Sequence, residues 1–186
     1  MELSATAYVI LGMLRHQPRS GYEIKQVVDR STRFFWAASY GQIYPELRKL
    51  ARAGLVEGEA QPQGGRKRTV YRLTSAGRKE LRQWLNEEPE VLEIRDEGLL
   101  KLFFAAAGPP EKAIEIVEAR QRVYERKLSQ LREIEARAAA ASADDADPFP
   151  YLVLRYGIES SEWAIEWCRR ARDELAKQEE KRRRAA

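Results

Sequence analysis

Residues Ser39 to Leu50 read SYGQIYPELRKL, and their side chains divide between two faces of one predicted helix. At about 3.6 residues per turn, the apolar side chains share one face: Ile43, Leu47 and Leu50. A second face is aromatic and basic, with side chains four residues apart: Tyr40, Tyr44 and Arg48. The apolar face can pack in a core, whereas the other face suits the base edges and phosphates of a DNA major groove.

Local signals mark both ends of this helix. Ser39 and Gln42 form a capping box at its start, and the glycine at position 54 is a C-terminal signal. Pro45 lies in the interior, where proline removes a hydrogen bond and clashes with the preceding turn. We therefore expect the regular helix to begin only around Gly41.

Two further helices are predicted upstream. Ser4 is an expected N-cap of a first helix that ends near His16, and Ser20 with Glu23 forms a capping box that starts the second. The aromatic connector 31–38, STRFFWAA, follows. We expect its rings to pack under the first helix or against a partner subunit, with a lid over a ligand as the alternative.

A hairpin is predicted directly after the third helix. Its strands are Leu55 to Ala60 and Arg68 to Leu73, and its turn, Gln61 to Lys67, contains two glycines that precede three consecutive cations. This order is typical of a winged helix, whose wing contacts phosphates or a minor groove. The alternative is a solvated turn that is basic by chance. Thr74 or Ser75 then caps a fourth helix.

The segment 86–90, NEEPE, marks the predicted boundary between a domain at 1–88 and a second at 89–186. The second domain has a helical pattern throughout, with helices expected at 94–107, 111–140 and 151–181. An acidic connector is expected at 139–147. We expect the tail, KRRRAA, to be frayed, and contact with phosphates is the alternative. The two long helices form an antiparallel hairpin whose apolar and aromatic residues favour burial against a second subunit. The predicted fold class is mainly α: a winged helix-turn-helix of three helices plus a two-stranded β-wing, followed by an α-helical dimerisation domain.

The charge distribution agrees with this division. Residues 1–85 contain 15 Lys and Arg against 7 Asp and Glu, whereas the remainder contains 18 against 22. A basic half joined to an acidic half is typical of a nucleic-acid-binding domain attached to a domain with another role.

Several classes of function are disfavoured. Cys168, the single cysteine, is expected to be a buried small side chain, and with His16 as the only histidine no metal site is predicted. The chain has no nucleophile and base pair and no phosphate-binding loop before a helix, so we expect neither an enzyme nor a cofactor. Without a long apolar stretch or the features of a signal peptide, we expect no membrane partner and a cytoplasmic location.

Three blocks of sequence resemble the PadR-like transcriptional regulators: LSATAYVILGMLRHQPRSGYEIK at 3–25, SYGQIYPELRKLARAGLVEGE at 39–59 and VYRLTSAGRKEL at 70–81. The resemblance implies a homodimer joined by its C-terminal helices, whose winged helices bind an inverted repeat in double-stranded promoter DNA. It also implies a repressor, released by a small aromatic or hydrophobic compound. Proline after Tyr44 is usual in that family, which accounts for Pro45.

The expected DNA-binding residues lie on the third helix and the wing: Ser39, Tyr40, Gln42, Tyr44, Arg48, Lys49, Gly65, Arg66, Lys67 and Arg68. Of these, we expect Tyr40 and Gln42 to lie nearest the base edges. Aromatic residues of the second domain form a hypothetical effector pocket at the dimer interface, with core packing as the alternative: Phe103, Phe104, Tyr156, Trp163 and Trp167. The alternative function is a helical protein-interaction adaptor whose winged helix no longer binds specific DNA.

Overall fold

The computed structural model describes residues 3–63, 66–89, 96–109, 111–140 and 148–185. The chain divides into two compact units, Met1–Val91 and Leu92–Ala186. Within the described ranges, no helix combines the length and apolar character needed to cross a membrane.

The helices of the first unit begin where their capping residues predict. They are α1 (Ala5–Met13), α2 (Gly21–Arg30), α3 (Tyr40–Arg52) and α4 (Ser75–Trp84). The Ser4 hydroxyl accepts a hydrogen bond from the Ala7 N–H at 3.2 Å. The Glu23 carboxylate accepts one from the Ser20 N–H at 2.8 Å, as a capping box requires. Both predicted caps are confirmed.

α3 is continuous through its proline. It starts at Tyr40, so Pro45 lies inside a continuous helix. Proline cannot donate to the carbonyl of Gly41 four residues before it. Because Gly41 is exposed, water can take the place of the missing donor. The expected start around Gly41 therefore agrees with the observed start to within one residue.

The end of α3 is tied to the start of α4. Gly54 has a φ of +70°, in the left-handed region, and the Leu55 N–H donates to the Leu50 carbonyl at 2.9 Å, one bond of a Schellman motif. The Thr74 hydroxyl donates to the Gly54 carbonyl at 2.8 Å and accepts from the Gly77 N–H at 3.0 Å. One side chain therefore caps α4 and holds the turn that leads into the hairpin.

The hairpin belongs to a 3-stranded antiparallel sheet in the order β1-β3-β2. Its strands are β1 (Arg19–Ser20), β2 (Val56–Gln63) and β3 (Arg66–Leu73). β2 and β3 extend into the predicted turn, and Gln63 pairs with Arg66. Pro62 is tolerated because β2 lies at the sheet edge. β1 was not predicted, since two residues are too few to show a period.

Aliphatic side chains from α1, α2, α3 and the sheet form the core: Ala7, Ile10, Leu11, Leu14, Ile24, Val28, Ala38, Ile43, Leu47, Leu50, Val56 and Leu73. The apolar face predicted for α3 is fully buried there. In the connector, however, Phe35 and Trp36 are 60% and 46% exposed. Phe34 is half-buried. Phe35 and Trp36 are therefore not packed under α1 within one chain, and their expected packing against a partner subunit stays a prediction.

The second unit contains α5 (Glu97–Phe103), α6 (Glu111–Ala140) and α7 (Pro148–Ala185). α6 has the predicted bounds. The helix expected at 94–107 is shorter, because the Asp96 side chain caps α5 by accepting the Leu99 N–H at 3.0 Å, and a separate 3-10 turn follows at Ala105–Ala107. α7 extends beyond 151–181 at both ends and includes the tail up to Ala185, whose fraying in solution stays a prediction. Residues 141–147 of the predicted connector lie outside the described ranges.

α6 and α7 pack through small residues. On α7, Gly157, Ser161, Ala164 and Cys168 recur at intervals of three and four residues, and the last three are buried. A Cβ atom at Gly157 would lie 3.2 Å from Cδ1 of Leu131 on α6. Burial raises the pKa of the Cys168 thiol. The prediction of a buried, small cysteine is confirmed.

Candidate nucleic-acid interface

The second face of α3 is open to solvent. Tyr40 and Tyr44 are 43% and 42% exposed, and their rings stack with centroids 6.2 Å apart. Tyr22 of α2 stacks on the other side of Tyr40 at 6.3 Å, while Nζ of Lys25 lies 5.5 Å from the Tyr40 ring. These three rings, Tyr22, Tyr40 and Tyr44, form a tyrosine row across two helices, with a cation beside it.

The position of Tyr44 is set by a glycine. A Cβ atom at Gly21 would lie only 2.7 Å from Cε1 of Tyr44. Because glycine lacks that atom, the Tyr44 ring can lie against the start of α2. α2 and α3 thus hold the row between them.

Ser39 and Gln42 have a capping role in the unbound chain. Oε1 of Gln42 accepts hydrogen bonds from the Ser39 N–H at 2.9 Å and the Ser39 hydroxyl at 3.1 Å. A base contact by Gln42 must therefore use its amide nitrogen or release the cap. The predicted base contact by Gln42 stays a prediction.

The cations of α3 differ in their surroundings. Arg48 is exposed, as phosphate contact requires. Lys49 is also exposed, but its Nζ lies 2.8 Å from the Glu46 carboxylate. A phosphate at Lys49 must compete with this exposed ion pair, which at the surface contributes little stability.

At the wing, the structure places the backbone of Arg66 and Lys67 in β3, opposite Gln63 and Pro62. Their side chains and Gly65 lie outside the described parts of the chain. The contact of the wing tip with DNA therefore stays a prediction.

Arg68 has a partner within the unbound chain, and its predicted contact with DNA stays a prediction. Its guanidinium forms an ion pair with the Glu23 carboxylate of α2 at 2.5 Å. The Ser20 backbone hydrogen bond lowers the pKa of Glu23, and Arg68 lowers it further. In the unbound protein Arg68 thus ties the base of the wing to α2.

Sequence analysis missed Tyr22 and Lys25 as members of this surface. The available signal was the Ser20 capping box, which sets where α2 starts and therefore which of its side chains face outward. Tyr22 lies outside the buried set of that helix, which comprises Gly21, Ile24 and Val28. The contact with Tyr40 could not be found from one helix alone.

The aromatic residues expected to form an effector pocket are spread over the second unit. Phe103 and Phe104 meet edge to face at 5.0 Å, and both are exposed, as are Tyr156 and Trp163. Trp167 is half-buried beside Arg120. Within one chain these residues do not pack as a core. A groove of about 540 Å³ between α6 and α7 has other residues along it: Glu125, Leu128, Ser129, Arg132, Glu133, Ala136, Ile165 and Arg169.

Two family models match the chain. Residues 10–83 match the transcriptional regulator PadR-like family, and residues 94–176 match the virulence activator alpha C-terminal family. The first match covers most of the unit that contains the tyrosine row, and the second covers most of α5, α6 and α7.

The chain is also similar to a characterised relative. It is 32% identical over 166 residues to the negative transcriptional regulator PadR of Bacillus subtilis, covering 86% of this chain and 91% of that protein. The crystal structure of that relative in complex with operator DNA matches with a TM-score of 0.85 at 29% identity, covering 94% of this chain and 99% of the other. Its structure with p-coumaric acid matches with a TM-score of 0.77 at 28% identity, covering 93% and 99%.

Proposed function

The chain belongs to the PadR-like family of transcriptional regulators, and we propose that it is a homodimeric repressor that binds an inverted repeat in promoter DNA. The observation that supports this most directly is α3, whose apolar face is fully buried while its tyrosine and arginine face is open. A relative of similar structure binds operator DNA. A cytoplasmic location is part of the proposal, since promoter DNA is reached there.

In this proposal α3 enters the major groove, with Tyr40, Tyr44 and Gln42 towards base edges and Arg48 and Lys49 towards phosphates. The wing residues Arg66 and Lys67 contact further phosphates. Tyr22 and Lys25 extend the contact onto α2, because the tyrosine row continues there. Two-fold symmetry places the half-sites about one helical turn, roughly 10 bp, apart.

Residues 1–88 are the proposed DNA-binding domain and 89–186 the proposed dimerisation domain. α7 has two apolar faces, and the first is buried in its own unit: Ile158, Ala164, Ile165 and Cys168. The second lies on another side of the helix and is exposed: Phe149, Leu152, Val153, Tyr156 and Trp163. An apolar stripe of this extent marks a protein interface, and a second copy of the chain is the partner that the two-fold model needs.

A small aromatic or hydrophobic effector is the proposed signal for release. The relative from Bacillus subtilis has been crystallised with p-coumaric acid. The aromatic residues of the second unit supply surfaces on which a flat ring can stack. Binding of such a compound is expected to lower the affinity for operator DNA.

A gel shift with the promoter of the protein's own gene, repeated over a series of salt concentrations, tests the DNA-binding proposal. Changing Arg66 and Lys67 together to alanine should reduce the salt slope of log K by about 1 to 2 for each bound protomer, because phosphate contacts release counterions. Sequence preference should be largely kept, since phosphates do not differ between sequences.

The matched control changes Arg169 and Arg170 of α7 to alanine, which removes the same charge from the second unit and should leave the slope unchanged. An unaltered slope in the wing variant would remove the wing from the model. Equal binding of the intact protein to promoter and scrambled DNA would instead favour the adaptor.

A further inference from the structure

A short ladder joins the wing to β1, the strand that leads into α2. The two residues of β1 pair with Tyr71 and Val70 of β3. Beyond Val70, in the direction of the wing tip at Arg66 and Lys67, β3 pairs with β2, which is itself part of the wing. A two-stranded hairpin has little stability of its own. A second attachment nearer the tip is therefore needed if the direction of the wing is to be fixed.

The ion pair between Arg68 and Glu23 lies beyond the end of this ladder. Arg68 precedes Val70 in β3, so it lies nearer the tip, and its Nη2 lies 2.5 Å from Oε2 of Glu23. The two side chains are 33% and 39% exposed, so the pair is partly shielded from water. Because it joins β3 to α2, this ion pair supplies a second attachment of the wing.

The Glu23 carboxylate is held in place by Ser20 as well as by Arg68. Oε2 of Glu23 accepts hydrogen bonds from the Ser20 N–H and the Ser20 hydroxyl, each at 2.8 Å, and Ser20 is buried where β1 meets α2. Most surface ion pairs contribute little, because two long side chains must be immobilised to form them. Here the capping box already immobilises one of the two. The pair is therefore better suited than an ordinary surface pair to fix the direction of the wing.

We propose that Glu23 is a positioning residue for DNA binding, which through Arg68 holds the wing at the angle at which the wing tip and α3 contact the same duplex. The inference rests on the proposed function, in which both elements contact DNA. Glu23 directly follows Tyr22 in the first turn of α2, and a carboxylate on a DNA-binding surface repels phosphates. On charge alone, removing this carboxylate should strengthen binding. A positioning role predicts the opposite sign.

The test is the promoter gel shift with the full-length protein, repeated over a series of salt concentrations. Glu23→Gln should keep the cap, since glutamine also serves in a capping box, but it removes the charge that holds Arg68. The affinity should fall about threefold for each bound protomer, and hence about tenfold for the dimer.

A second measurement links Glu23 to the wing tip. Changing Arg66 and Lys67 to alanine in the Glu23→Gln background should lower the salt slope by less than about half as much as it does in the parent, because a wing that is no longer held brings its cations near phosphates less often. A residue that only stabilised the fold would leave this effect of the tip substitutions unaltered.

Glu57→Gln is the matched control. Glu57 forms an ion pair with Arg72 at 2.7 Å, and both residues belong to the wing, so this pair does not attach the wing to α2. The control should bind DNA no more weakly than the parent. Thermal unfolding checks that each variant is folded.

Unchanged or tighter binding by folded Glu23→Gln would overturn the inference, and tighter binding would indicate that Arg68 leaves Glu23 for a phosphate. An undiminished effect of the tip substitutions in that background would overturn it as well. Either result, together with specific binding by the parent, leaves the repressor proposal standing. Equal binding of the parent to promoter and scrambled DNA would refute both proposals.

Discussion

At the scale of single residues, two glycines of the first unit allow other parts of the chain to approach closely. Gly21 makes room for the Tyr44 ring, 2.7 Å from where its Cβ would lie. Gly77 lies against the turn after α3, where a Cβ would be 2.1 Å from the Leu55 carbonyl oxygen. That oxygen belongs to the backbone, and it also accepts a hydrogen bond from the Thr74 hydroxyl at 3.0 Å. The oxygen cannot move without breaking this hydrogen bond, which connects the end of α3 to the start of α4.

Gly77→Ala is therefore expected to destabilise the first unit by about 1–3 kcal/mol, the usual range for an overpacked site. The measurement is urea unfolding followed by circular dichroism. Gly12→Ala is the control, because a Cβ at Gly12 of α1 meets no atom within 4 Å in the described part of the chain. That variant should be as stable as the parent or more stable by up to ~1 kcal/mol, since alanine is the better helix former. Equal stability of the two variants would contradict the argument.

At the scale of the elements, the contact between α6 and α7 depends on small side chains. Ser161 is fully buried, and its hydroxyl donates to the Gly157 carbonyl of its own helix at 2.6 Å. The hydroxyl therefore has its hydrogen-bond partner within α7 and needs none on α6. Position 161 therefore requires a side chain of small volume, so that α6 and α7 can pack closely.

Ser161→Leu should destabilise the second unit by about 1–3 kcal/mol, because a larger side chain forces the helices apart. Ser161→Ala should change stability by less than about 0.5 kcal/mol, since the bond that it removes is a back-bond within one helix. Chemical denaturation of both variants decides between them. If alanine costs as much as leucine, the hydroxyl and not the volume is what the interface needs.

At the scale of the whole molecule, the exposed stripe on α7 should decide whether two DNA-binding units act together. Trp163 is 62% exposed at the end of this stripe. A dimer binds both half-sites through one linked structure, which raises its affinity far above that of one unit.

Trp163→Lys is expected to shift the protein from dimer to monomer and to weaken operator binding about 100-fold or more, because the second half-site is no longer bound in the same molecule. Size-exclusion chromatography with light scattering gives the mass, and a gel shift gives the affinity. Glu174→Lys, an exposed change on the same helix, should alter neither. A Trp163→Lys variant that remains dimeric would place the interface elsewhere.

The sequence by itself determined the helices, the two strands of the hairpin and their order along the chain. The caps at Ser4, Ser20 and Thr74, the glycine at 54 and the apolar spacing of α3 are local signals, because each acts within one or two turns of chain. They predicted the winged helix-turn-helix and a fully buried apolar face on α3, and they placed its tyrosines outward. The strands were predicted too short, because pairing across the sheet, which local propensity does not contain, extends them.

Only the tertiary structure decided which side chains meet across elements. Tyr22 joins the tyrosine row because α2 and α3 pack together at Gly21, Arg68 turns to Glu23, and Phe35 and Trp36 stay outside a core that is already full. Arg120 and Asp96 are 24 residues apart in sequence yet form one ion pair. Such contacts depend on the positions of two elements at once, and the spacing within either element contains no information about the other.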